Sequence, residues 1–296
     1  MTPPLFSSPL DAAAFEAHFP PCAIGQRIHF VEVAQSTNDL ALDWVRSGGA
    51  HGGVFTADEQ LAGRGRRGRS WNCPHGMGLL FSVAVRPAHI PLECAGWIPL
   101  VAGLACAQAL ASVSAHVSEA NVKWPNDIVL PCPAAPGWKK LGGILCESAL
   151  PALSEKSGSN VQDRGYVVIG IGLNLNQTPD MLPQTSKAPP TSILIESGSA
   201  VDRKAVLREV LTRLNAALNQ LEDAAERANL HDDLEAKMRA WLPPSKRIFF
   251  RLPPFDAPES IERSGTFAGL DTFGCIRILS EGIETAYADA EIISVH

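Results

Sequence analysis

No CxxC pair occurs among the seven cysteines, and their number is odd. Neither a disulfide framework nor a zinc site is expected. No basic segment leads into an apolar stretch near the first residue, so a secretory signal is not expected and the cytoplasm is the default location. Charge is sparse at 19% of residues, with 25 Lys plus Arg against 31 Asp plus Glu and a net charge of −6. With 46% hydrophobic residues, this excludes a disordered chain and a globally basic nucleic-acid-binding protein. No internal repeat is present, and the GxxxxGK[ST] spacing of a phosphate-binding P-loop is missing. One uncharged run, Cys94 to Ser118, has the length of a membrane span. Pro99, Gly103, Gln108, Ser112, Ser114 and His116 interrupt it, and a buried Ala-rich helix is the expected structure.

What is there reads as one large domain followed by a small one, residues 1–242 and 243–296 of the 296. Residues 1 to about 24 are rich in Pro and Ala and suggest a leader strand or short helix. Ile28 to Val33 roughly alternates as a half-buried strand, and Ser36-Thr37-Asn38 precedes Leu40, Ala41, Trp44 and Val45 at helical spacing. Further strands are expected at Val54–Ala57, Leu79–Val85, Val122–Leu130, Leu141–Glu147 and Tyr166–Asn176, with short connections that favour antiparallel pairing. Asp202 can cap a helix with Val206, Val210, Leu214, Ala217 or Leu218, and Leu221 on one face. A second helix ends near Trp241, and Pro243-Pro244 marks a boundary. Ile248–Leu252, Glu259–Leu270, Cys275–Leu279 and Thr285–Val295 then read as the strands of a small barrel.

Three stretches carry chemistry. Gly63-Arg64-Gly65-Arg66-Arg67-Gly68-Arg69 places four guanidinium groups in six residues of an acidic chain. Arginine presents a planar fork of donors suited to phosphate oxygens, and the glycines let backbone approach a ligand. Taken alone, the loop fits a polyanion site, a solvated basic loop or a nucleic-acid contact equally. Ordering about seven residues costs on the order of ten kcal/mol, so the loop is expected to be mobile when empty and to close over its ligand. The other two stretches are Lys123-Trp124-Pro125-Asn126-Asp127 and Lys140-Leu141-Gly142-Gly143-Ile144-Leu145. Singly, each reads as a packed strand end or an exposed lysine, although paired glycines inside a strand mark a bulge or a close approach.

Together, and in this order, Ser36-Thr37-Asn38, Gln60, the arginine loop with Trp71, Lys123–Asp127, Lys140–Leu145, Ile169–Asn176 and Thr191-Ser192 resemble the catalytic region of biotin protein ligases. The resemblance covers roughly Ile28 to Trp241. It implies an α+β fold, with helices packed on a mixed, largely antiparallel sheet of the class II synthetase and biotin ligase kind. A small C-terminal SH3-like barrel is part of the same arrangement. The implied reaction joins biotin and ATP as biotinyl-5′-AMP and then transfers biotin to a lysine of a biotin carboxyl carrier protein. ATP and Mg²⁺ are the implied cofactors.

By the same resemblance Ser36, Thr37, Asn38 and Gln60 line a pocket for the ureido ring, with Gly63, Arg64, Gly65, Arg66, Trp71, Lys140 and Gly143 around the rest of biotin. Arg64, Arg66, Arg67, Arg69, Trp71, Asn126, Lys140 and Asn174 are implied at the nucleotide. Lys140, Arg64, Arg66 and Asp127 are implied as the catalytic groups, Asp127 either orienting the incoming amine or helping to hold the metal. Ser36 or Thr37 could instead simply cap the helix that follows.

Three departures stand out: Gly142 where Ala is commoner, a Pro-rich insertion from Pro131 to Trp138, and Ala288-Asp289-Ala290 before Glu291-Ile292 in place of a Gly-rich turn. No DNA-binding domain is recognised, which implies a monofunctional ligase that acts on a carrier protein without nucleic acid or membrane, as monomer or homodimer. The rival readings are a lipoate ligase or acyltransferase of the same fold, and a nucleic-acid-binding module. The first does not need the polar Ser36–Asn38 cluster, and the second lacks a further basic stripe.

Overall fold

The computed structural model describes residues 15–20, 23–86, 90–134, 136–149, 165–184, 189–255 and 262–296. The expected leader element at the N-terminus falls largely outside these residues. Strand β1 (Arg27–Ala34) is followed by helix α1 (Thr37–Arg46) and strand β2 (Gly53–Gln60), which lies parallel to β1. The helix between them permits that parallel pairing. The remaining strands, β3 (Leu79–Val85), β4 (Asn121–Lys123), β5 (Asp127–Pro131), β6 (Trp138–Ala149) and β7 (Tyr166–Leu173), pair antiparallel. The seven-stranded sheet has the order β1-β2-β3-β7-β6-β5-β4.

The reading of Val122–Leu130 as one strand is corrected. Trp124, Pro125 and Asn126 form the turn of the β4–β5 hairpin, because a proline offers no N–H to a ladder and ends the first strand. Helix α2 (Ile98–Val113) takes the expected place of the uncharged run, with Pro99 in its first turn where a missing N–H costs nothing. The segment Cys94–Val113 is long and apolar enough to cross a membrane, yet most of it is buried inside the fold. The short helix α3 (Ile193–Ser197) precedes α4 (Arg203–Glu222) and α5 (Ala224–Trp241). Asp202 caps α4 by accepting from Lys204 N–H at 2.8 Å, and the predicted apolar face is buried throughout.

Strand alternation divides the sheet into two faces. Phe81, Val83, Ile144, Ile169, Ile171 and Leu173 join α2, α4 and α5 in the main core. On the other face Phe55, Ala84, Tyr166 and Val168 pack against Ala41, Leu42 and Val45 of α1. Continuing along β7 on that second face, Gly170 and Gly172 leave the sheet bare beside the start of α1. The C-terminal strands β8 (Ile248–Arg251), β9 (Glu262–Leu270), β10 (Ile276–Ser280), β11 (Ile283–Tyr287) and β12 (Glu291–Val295) form an antiparallel sheet ordered β11-β10-β9-β8-β12. The segment read as one strand, Thr285–Val295, is two strands that sit at opposite ends of this sheet.

Candidate active site

The bare patch is the floor of a cleft partly open to solvent. Of the residues singled out in the sequence, Ser36, Thr37, Asn38, Gln60, Arg64, Gly65, Arg66, Arg67, Arg69, Trp71, Asn126, Asp127, Lys140 and Gly143 line it. Gly63 and Asn174 do not. Gly63 closes the base of the arginine loop, its carbonyl accepting from Trp71 N–H at 2.8 Å. Asn174 is buried, donating to Lys140 O and accepting from Gln177 Nε2, both at 3.3 Å, so it braces the strand that carries Lys140.

At one end of the cleft lies a buried polar chain. Gln60 Oε1 accepts from Thr37 N–H at 2.7 Å, Thr37 Oγ1 meets Ser82 Oγ at 2.7 Å, and Ser82 donates to Asn38 Oδ1 at 2.5 Å. Asn38 Nδ2 in turn donates to Glu147 Oε2 at 2.5 Å. Ser36 stands at the helix N-cap position, yet its side chain makes no capping bond, so the capping reading fails for it. Thr37 is spent on Gln60 and Ser82, not on the helix end. Ser36, Thr37 and Asn38 are all 4% exposed or less, so their remaining polar capacity points into the cleft or is lost.

At the other end the charges gather. A bulge in β6 pairs Ile128 with Gly142 but Val129 with Lys140, leaving Leu141 over. Without that extra residue, alternation would put Lys140 on the core face with Ile144; the bulge turns it onto the face of Gly143. Its ammonium donates to Asp127 Oδ1 at 2.6 Å and lies 5.5 Å from the Trp71 ring centre. Lys123 approaches Asp127 Oδ2 at 3.5 Å from the other side. Burial alone would raise the Asp127 carboxyl, but Lys140 and Lys123 outweigh it and hold its pKa below the ordinary value. Desolvation lowers the pKa of Lys123, against the pull of Asp127.

The arginine loop crosses above as a small closed hairpin, with Gly65 N–H bonded to Arg69 O at 2.6 Å and a bridge between Arg64 and Ser70. Every one of its guanidinium groups has a carboxylate partner. Arg64 pairs with Asp39 and Glu147, Arg66 with Asp289, Arg67 with Asp289 and Glu291, and Arg69 with Glu291. Trp71 lies over Gly143 and Gly172, and its indole N–H is buried without a partner.

Sequence reasoning missed Ser82, Glu147, Gly170 and Gly172 as shaping residues. The two glycines had a legible signal, a spacing of two inside a strand, which puts both on one face. A Cβ at Gly170 would meet Asn38 Oδ1 at 2.1 Å, and one at Gly172 would meet the Trp71 indole at 2.6 Å.

Residues 30–162 match the model of the biotin/lipoate A/B protein ligase family. The biotin–[acetyl-CoA-carboxylase] ligase of Mycobacterium tuberculosis is 33% identical over 219 residues, 73% of this chain and 73% of that protein. The corresponding ligase of Paracoccus denitrificans is 33% identical over 74% of this chain and 81% of its own length. The chain belongs to the biotin protein ligase family. It spans about half the length, 52%, of a bifunctional ligase/repressor BirA of Bacillus spizizenii that shares 33% identity over 188 residues. Among solved structures, a biotin protein ligase from Aquifex aeolicus in complex with biotin and ATP superposes with a TM-score of 0.67 at 27% identity, covering 92% of this chain and 99% of that one. That superposition, over 92% of this chain, takes in both the mixed sheet and the C-terminal antiparallel sheet.

Proposed function

We propose that the protein activates biotin with ATP to biotinyl-5′-AMP and passes the biotinyl group to a lysine of a carboxylase carrier protein. The observation that carries this reading is the Lys140 ammonium, turned by a bulge over a glycine floor, between a pocket of buried amides and hydroxyls and a lid of arginines. Binding of biotin and ATP, or of biotinyl-5-AMP, by the structural relatives from Aquifex aeolicus and Leishmania major supports it.

On this reading Ser36, Thr37, Asn38 and Gln60 hold the ureido ring, whose N–H and C=O groups would otherwise be buried unsatisfied. The first step brings a carboxylate against a triphosphate, so its barrier is largely electrostatic. Lys140 leaves Asp127 to bridge the carboxylate and the α-phosphate, and Arg64 and Arg66 offset the phosphate charge as pyrophosphate departs. In the second step Asp127 and Asn126 orient the incoming lysine amine, whose attack on the mixed anhydride releases AMP. Asp127 has both oxygens engaged by lysines, and no group of three His, Cys, Asp or Glu side chains among the described residues forms a metal site. These residues do not fit a protein-held metal; Mg²⁺ belongs to the proposal only as the companion of ATP. The division at residue 243 between a catalytic unit and a C-terminal unit is likewise part of this reading.

The test is incubation with biotin, Mg-ATP and a biotinyl acceptor domain, with lipoate as a parallel substrate, followed by intact mass of the acceptor. A gain of one biotinyl group is expected. An unmodified acceptor, or preferential lipoylation, overturns the proposal.

A further inference from the structure

The arginine loop is held from outside its own domain. Asp289, in the turn between β11 and β12, accepts with one oxygen from Arg66 Nη2 at 3.1 Å and from Arg67 Nη2 at 2.7 Å. The two arginines differ in how firmly they are kept. Arg67 also stacks on the Phe255 ring at 3.2 Å from its centroid, has Glu291 at 3.7 Å, and sits at a positive φ of 58°. Three C-terminal groups thus enclose it. Arg66, at the edge of the cleft, has Asp289 as its carboxylate and a long 3.4 Å contact to Asn126.

We propose that Asp289 is a positioning residue that occupies Arg66 in place of a nucleotide phosphate and thereby sets the affinity for ATP. The inference rests on the ligase reading above. Arg66 gives Asp289 one Nη2 contact at 3.1 Å, and both edges of its guanidinium fork include Nη2, so a triphosphate that takes the fork competes with Asp289 for that group and for its charge. Arg67 stays behind on Phe255 and Glu291, which keeps the loop anchored to the C-terminal sheet while Arg66 changes partner. Arg67 is on this proposal an anchor, where the family resemblance implied a place at the nucleotide. The acid lies in the turn that departs from the family pattern, so this competition belongs to this chain's own residues.

The experiment measures the KM for ATP and for biotin in adenylate formation by the full chain, with Asp289→Asn and Asp289→Glu beside the unaltered protein. A second arm titrates a non-hydrolysable ATP analogue directly. Asp289→Asn is expected to lower the KM for ATP and the analogue Kd by about three-fold, the scale of an exposed ion pair, with the KM for biotin unchanged. Asp289→Glu restores the original value, and the difference shrinks as salt screens the pair. An unchanged or raised KM for ATP in Asp289→Asn overturns the proposal. Should that variant fail to fold, hydrogen exchange on the unaltered protein decides. The analogue is expected to speed exchange at residues 288–290 while biotin does not, and no change there overturns the idea. If no adenylate forms in any sample, the ligase reading fails, while the analogue titration still reports on Asp289 independently.

Discussion

Asp127 works by being shared. Its carboxylate lies between Lys140 at 2.6 Å and Lys123 at 3.5 Å, all three in partly or fully buried positions. Removing the charge leaves two ammonium groups without their counter-ion. Asp127→Asn is therefore expected to destabilise the fold by about 3 kcal/mol, measured by urea unfolding, because an uncompensated buried charge costs more than the pair ever contributed. Adding Lys123→Met in the same chain should recover most of that loss. Because the folded pKa of Asp127 is depressed, its stabilising contribution is present above the unfolded value of about 3.9 and disappears as pH falls through the folded value. Stability of the unaltered protein should thus fall in acid below about pH 4, and less steeply in the double variant. Lys140→Ala leaves a partner that Lys123 still neutralises, so the fold should persist while biotinyl-AMP formation drops by about 10²–10³ in rate. A Lys140→Ala protein that makes adenylate at the original rate would remove the lysine from the mechanism.

At the scale of elements, the site depends on two departures from regular strand geometry. The bulge at Leu141 decides which face Lys140 takes, and the glycines of β7 decide that the sheet lies low enough to receive Asn38 and Trp71. Gly172→Ala puts a methyl 2.6 Å from the Trp71 indole, while the strand itself tolerates alanine. The expected result is a folded protein whose Trp71 is pushed off the floor. Adenylate should be released about ten-fold faster, read by retention of biotinyl-AMP on gel filtration, on the scale of one lost packing contact of ~1.4 kcal/mol. Retention at the original level would show that Trp71 has no part in closing the cleft.

At the scale of the whole molecule, the C-terminal sheet is joined to the helices and loops around the large sheet by hydrogen bonds that neither part could make alone. Trp124, in the hairpin turn beside the site, donates to Gly274 O at 2.9 Å, and Trp97 donates to Thr272 O at 2.9 Å. Glu235 of α5 accepts from Leu270 N–H, and Val295 N–H bonds to Pro136 O at 2.9 Å inside the Pro-rich insertion. That insertion, unexplained in the sequence, is thereby part of the seam between the sheets. With buried indoles and backbone groups shared across it, the chain should unfold in a single calorimetric transition, with equal calorimetric and van't Hoff enthalpies. Two resolved transitions would show that the C-terminal sheet melts by itself.

Much of this was legible in the linear chain, for reasons that are local. Asp202 could be read as a cap and Val206 to Leu221 as a buried face because capping and a 3.6-residue period act over a few neighbours. The arginine loop, the Lys140 strand and the Ser36–Asn38 turn could be grouped because together, and in that order, they resemble the catalytic region of biotin protein ligases. What the sequence alone could not decide was pairing between distant segments. Nothing in residues 63–69 announces that Asp289 and Glu291, more than two hundred positions on, complete their charge, since a turn acid is ordinary until the fold brings arginine to it. The facing of Lys140 was likewise settled by sheet register, whereas the proline that splits Val122–Leu130 into a hairpin stood in the sequence. One extra residue in a ladder reverses a side chain's direction, and only hydrogen bonding to the neighbouring strand determines where that residue goes.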